Sequence, residues 1–164
     1  PGSCTRPAGA CFQNRSGAAE GQKMHKLIST EQAMMDRYVT LRNMKTGTID
    51  YCFDRSDFPE DKYPGFYFME IGGQYECKIV LFGSPVSEEG KHTVRCRVLD
   101  PDVMIGNCRF VKVGVGEDVY YVYHFRVKDE LTNGRFLFRC PRKDLIQVDD
   151  VVLSEFYKYE CLWE

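Results

Sequence analysis

The chain has no run of eighteen consecutive apolar residues, and its first residues lack the apolar core of a secretory signal. A membrane span and export are therefore not expected, and the sequence reads as a soluble, cytoplasmic protein. It also has no block of five or six like charges. Its 22 Lys and Arg stand against 24 Asp and Glu, a formal charge of −2, so long-range attraction to nucleic acid is absent and only a local basic stripe could engage it. No two cysteines have the C-x-x-C spacing, and the three histidines, His25, His92 and His124, are scattered. No metal or other cofactor is expected from such a pattern. Asp54, Asp57, Glu60 and Asp61 lack the spacing of a calcium loop, and Gly114-Val115-Gly116 lacks the third glycine of a phosphate-cradling loop.

What is present points to β structure. The 164 residues are 43% apolar, enough for one domain with a proper core and too few for two comfortable ones. Ten Tyr and eleven Phe, with many Val and Ile, suit pleated, half-buried surfaces. The eight cysteines would suit a disulfide framework, but their placement argues against one. Cys77 alternates with Tyr75, Ile79 and Leu81; Cys96 with Val94 and Val98; Cys140 with Phe136 and Phe138; Cys161 with Tyr157, Tyr159 and Trp163. Thiols on such period-two apolar faces behave as small hydrophobes in a core, which predicts reduced cysteines and a reducing compartment.

Residues 1–23 are rich in Gly, Ala, Ser and Arg without periodicity and read as a disordered or accessory leader; residues 24–164 read as a single β-rich domain. Pro1-Gly2-Ser3 resembles a linker remnant, and Met24 is read as a natural start because periodic sequence begins after it. Arg6, Arg15 and Lys23 against Glu20 give the leader +2 and leave −4 on the rest.

Ser29-Thr30-Glu31-Gln32 has the form of a capping box and predicts a short N-terminal helix over Thr30 to Arg37, acting as a lid or plug. From Tyr38 on the alternation is two. Strands are predicted over Tyr38–Asn43 and Thr48–Phe53, joined by a turn with Gly47, then over Phe66–Ile71, Gln74–Phe82 and His92–Leu99. Residues 54–65, with Pro59 and Pro64, read as a surface loop. A hairpin over 108–113 and 117–127, a strand at Arg135–Cys140, and two short strand-like patterns between Leu145 and Trp163 complete the set. Seven to nine short strands with one helix predict a mainly β protein, a single small antiparallel β-barrel or sandwich, with an OB-like barrel favoured because closure removes exposed edges. The likeness is one of architecture, and it assigns no family.

The stretch Asp118 to Val127 carries the main functional expectation. One face, Val119, Tyr121, Tyr123, Phe125 and Val127, is assigned to the core; the other, Tyr120, Val122, His124 and Arg126, is assigned to solvent. With Arg109, Lys112, Arg135 and Arg139 on neighbouring strands, the outward face is aromatic and basic at once, as needed to stack bases and hold phosphates. The plainer reading is that long basic stems and Tyr rings cover a sheet. Two such faces point to a non-enzymatic binding or interaction module whose partner is a protein or single-stranded nucleic acid. The alternatives are a small-molecule binder or enzyme with its site at the barrel mouth, closed by the helix and the 54–65 loop, and a subunit assembling through its Tyr-rich C-terminal strand. The one nucleophile–base pair on view, Cys108 with His124, has no third group to orient the histidine, so the sequence weighs against catalysis.

Overall fold

The structure, a computed structural model, describes residues 24–56 and 65–158. Among them lie ten strands: β1 (His25–Ala33), β2 (Asp36–Asn43), β3 (Ile49–Asp54), β4 (Gln74–Tyr75), β5 (Cys77–Val86), β6 (Thr93–Ile105), β7 (Cys108–Val115), β8 (Asp118–Tyr123), β9 (Arg135–Val148) and β10 (Val151–Val152). Two single-turn helices, α1 (His124–Val127) and α2 (Glu155–Lys158), and a 3-10 segment at Lys128–Asn133 account for the helical residues.

The period-two pattern does what it predicts. β6, β7 and β8 form an antiparallel meander, β8 meets β5 in a parallel bridge at Val80 and Tyr121, β5 pairs with β9, and β9 pairs back with β6. These five strands close into a barrel, a mainly β architecture compatible with an OB-like one. Its inward side chains include Ile79, Leu81, Cys96, Val111, Val113, Tyr120, Val122, Phe136 and Phe138, all buried. β1, β2 and β3 form a second meander, which continues from the barrel because β3 lies parallel to β9, Cys52 facing Lys143 and Phe53 facing Asp144.

Two buried carboxylates on β3 act here, the first tying this meander to the barrel and the second joining β3 to β2. Asp50 accepts from the Tyr120 hydroxyl at 2.9 Å and from Lys143 Nζ at 2.6 Å. Asp54 accepts from Arg37 Nη1 at 2.7 Å. A buried acid needs such partners, because stripping it of water without them costs several kcal/mol.

Several expectations are corrected. The strand expected over Phe66–Ile71 is a run of bends and turns, the one expected to end at Leu99 runs on to Ile105, and the second strand-like pattern towards Trp163 holds α2. The predicted helix over Thr30 to Arg37 is a β-hairpin, with Gln32 opposite Arg37, Ala33 opposite Asp36 and Met34 at φ 56° in the turn. The capping-box residues supplied a local signal, but the segment has too few apolar residues for a helical stripe, while as strands it adds ladder hydrogen bonds to β2 and, through it, β3. The predicted strand to Val127 stops at Tyr123, after which α1 begins. The strand at Arg135–Cys140 runs on to Val148, because a bulge absorbs Pro141.

At that bulge Phe82 faces Arg142 while Ser84 faces Arg139, three steps on β9 against two on β5. The extra residue switches which face β9 shows on either side of it. Gly83 sits against it, and a Cβ there would lie 1.7 Å from the Arg139 carbonyl oxygen, so only glycine fits.

Cys77, Cys96 and Cys140 are free thiols, buried or half-buried as the alternation predicts, and Cys52 is a further buried free thiol. Cys108 is disulfide-bonded, so free thiols do not extend to it. The leader 1–23, residues 57–64 of the predicted loop, and Cys161 and Trp163 lie outside the described residues.

Candidate functional site

On the barrel's outer surface, β6 and β9 place Arg97 directly opposite Arg135, Arg95 opposite Leu137 and Thr93 opposite Arg139. Their inward neighbours, Cys96, Phe136 and Phe138, are buried, so the four arginines all point out and are exposed. Like charges facing each other across a ladder are destabilising by some tenths of a kcal/mol unless an anion lies between them. Arg95, Arg97 and Arg135 line a cleft of about 450 Å³ whose floor is Cys96, Gly114, Phe136 and Leu137. Arg95 pairs with Glu89, and Arg97 Nη1 donates to the Gly116 carbonyl at 2.6 Å. The Arg97 guanidinium lies over Gly114, where a Cβ would be 2.6 Å from its Cζ, so this position shapes where the charge sits. Arg135 and Arg139 form no ion pair with a described residue.

The β9 bulge carries the row further. Because it shifts the parity, Arg142 joins Arg135 and Arg139 on the outer face instead of turning inward. Its guanidinium is held by two hydrogen bonds to the buried Asp144, at 2.6 and 2.9 Å, and lies 4.3 Å from the Phe82 ring centre and 4.9 Å from that of Phe53. Beyond Phe53 come Tyr38, with ring centres 5.4 Å apart, and Tyr51, stacked parallel on Tyr38 at 5.0 Å. Tyr51 is 51% exposed, and its hydroxyl donates to Glu31 at 2.9 Å, a bond that pushes the phenol pKa up and keeps it neutral. From Arg135 to Arg142 the row spans about 23 Å at roughly 3.3 Å per strand residue. Cations thus lead into a set of partly open aromatic faces.

The residues singled out from sequence fall in different places. Arg135 and Arg139 belong to this row. Tyr120 does not: it is 4% exposed, turned into the interior by its bond to Asp50, so the two faces of β8 are the reverse of the expectation for Tyr120 and Val122. His124 and Arg126 sit on α1, where Arg126 is 5.2 Å from the Phe125 ring centre. Arg109 is gripped by both oxygens of Asp102, at 3.0 and 3.2 Å, and Lys112 faces Tyr121 on the far side of Gly114. Cys108 and His124 form no dyad, since the thiol is disulfide-bonded and the observed register puts Phe110, not Cys108, opposite the last residue of β8.

Nor is the cleft floor a nucleophile. Burial pushes the Cys96 thiol up to about 12, as it does Cys77, so neither is a thiolate near neutrality. In the folded protein at pH 8, iodoacetamide should therefore modify Cys77 and Cys96 far more slowly than in urea. Peptide mass spectrometry reads this, and equal rates in the two states would refute the burial.

Reasoning from sequence missed Arg95, Arg97, Arg142, Phe53, Phe82, Tyr38 and Tyr51. Arg95-Cys96-Arg97 did carry a signal, two arginines flanking an inward thiol. No known protein family, curated protein or solved structure matches the chain.

Proposed function

We propose that this protein is a non-enzymatic binding module for single-stranded nucleic acid, held on the outer face of β6 and β9. The observation that carries the reading is the Arg97–Arg135 juxtaposition, a cationic pair with no acid between them, in line with the Arg142, Phe53, Tyr38 and Tyr51 platform. Phosphates neutralise the arginines, and unstacked bases lie on the rings, an arrangement that needs no sequence readout. A single strand is favoured because a duplex hides its base faces. An overall charge of −2 is compatible with this, since the row acts at contact range. The buried free thiols Cys52 and Cys96 suit a reducing compartment, whereas the disulfide at Cys108 weighs the other way, so the cysteines assign no compartment.

The test is fluorescence anisotropy with a labelled thymidine oligonucleotide of about a dozen nucleotides. Affinity should fall steeply with salt, with a slope of about −3 if the four outer arginines each meet a phosphate. Arg97→Ala with Arg135→Ala should weaken binding by about a hundredfold at low salt and halve that slope, at about tenfold per lost contact. Absence of binding to any oligonucleotide at low salt ends the proposal.

A further inference from the structure

A second cleft, of about 400 Å³, lies beside the first: Gly114 lines one, its cross-strand partner Val119 lines the other. Its walls include Lys78 on β5, Lys112 on β7, Tyr121 on β8 and His25 at the start of β1, with Glu76, Asp149 and Asp150 along another side. Lys78 is 5.7 Å from the Tyr121 ring centre, and Lys112 is the cross-strand partner of Tyr121. Neither lysine forms an ion pair with a described residue. His25 is 95% buried by its 5% exposure, yet its Nδ1 has no hydrogen-bond partner. Burial holds its imidazole below the ordinary value against the pull of Asp50 and Asp118, so the ring is neutral, and Nδ1 itself is buried.

We infer that this cleft binds a phosphate monoester, with Lys78 and Lys112 on the phosphate oxygens and the neutral His25 ring in its wall. The ester comes either from a free nucleotide or from the end of a strand lying on the arginine row; the second source rests on the function proposed above. Several features converge on this ligand. Two cations without an ion-pair partner among the described residues, on the strands either side of Tyr121, give the charge for a dianion. The volume, at the small end of ligand pockets, suits one nucleotide. Glu76, Asp149 and Asp150 give the outer side the wrong sign for a continuing phosphate backbone, so a strand entering over Gly114 and Val119 would terminate here. Asp149 Oδ1 is occupied by the Glu76 amide at 2.9 Å, which fixes that side.

Two measurements test it, both on the intact chain. Thymidine oligonucleotides ending in a 5′-phosphate, a 3′-phosphate or only hydroxyls are compared by anisotropy on the wild type, on Lys78→Ala with Lys112→Ala, and on the milder Lys78→Gln, each checked for folding by circular dichroism. In parallel, adenosine monophosphate and inorganic phosphate are titrated while the His25 ring resonances are followed by NMR, with His92 and His124 as internal references. A terminal phosphate should tighten binding at least tenfold, and the lysine variants should lose that gain while still holding the hydroxyl-ended strand. A His25 shift with adenosine monophosphate but no end effect assigns the site to free nucleotides. Oligonucleotide binding with neither effect overturns this inference and leaves the proposed function standing. Nucleotide binding with no oligonucleotide binding does the reverse.

Discussion

Asp54→Ala should destabilise the protein by about 3–5 kcal/mol, the usual loss when one partner of a buried ion pair is removed. Arg37 and Asp54 have 8% and 0% of their side-chain surface exposed, so the surviving guanidinium has almost no water to turn to. Among the described residues it retains the face of Tyr67, 4.3 Å from its carbon. The loss is compounded locally, because Asp54 Oδ1 also accepts from the Ser56 amide at 2.9 Å, and the Ser56 hydroxyl in turn accepts from the Phe66 amide at 3.1 Å. Removing the carboxylate thus loosens the point where the chain leaves β3. At about 2–4 °C per kcal/mol for a chain of this size, the melting midpoint should drop by roughly 10 °C. Arg37→Met combined with Asp54→Leu should recover much of that, since an apolar pair leaves no stranded charge. A single variant that melts within about 2 °C of the wild type would mean that water reaches the pair.

The second large effect is expected at Gly83. Alanine there must either force its methyl into the Arg139 carbonyl, 1.7 Å from where the Cβ would lie, or prise β5 from β9. Neither relaxes by turning a side chain, because the obstacle is backbone, and a loss of about 3 kcal/mol or more follows from strain of this kind. The same change should weaken oligonucleotide binding, since the bulge sets the common outward direction of Arg139 and Arg142. Gly90→Ala is the control: nothing lies within 4 Å of its Cβ position, and its backbone is not left-handed. Chemical denaturation of both variants settles the matter, and a Gly83→Ala protein as stable as Gly90→Ala would show that the close approach is not real.

How far the sequence could be read depends on whether the deciding contact is local. The alternation in Cys77–Leu81 and Val94–Val98 is a local property and located strands and inward thiols correctly. So did the outward placement of Arg135 and Arg139, each beside an inward Phe. In Tyr120-Tyr121-Val122-Tyr123, by contrast, both alternating sets are apolar or aromatic, so periodicity shows two faces without saying which is inside. The choice is made by Asp50, seventy residues away, which draws the Tyr120 hydroxyl inward. The binding row was hidden for a similar reason: Arg97 meets Arg135 only through the β6–β9 register, and Arg142 turns outward only because one residue is inserted at the bulge. A one-residue shift reverses every side chain beyond it, and no local pattern encodes that. The helix expected at Thr30 failed in the opposite direction, where a clear local cap lost to a neighbouring strand able to bond with it.

One strand has a consequence for how the molecule comes to be. β9 pairs with β3, β5 and β6, and it follows all three in the chain. During vectorial synthesis those three earlier strands must wait with open edges until residues 135–148 leave the ribosome, and the ring then closes in a single late event. Such dependence on distant pairing slows folding and exposes nascent edges to association, so growth temperature and chaperone supply should govern the yield of folded protein more than the strength of its finished core.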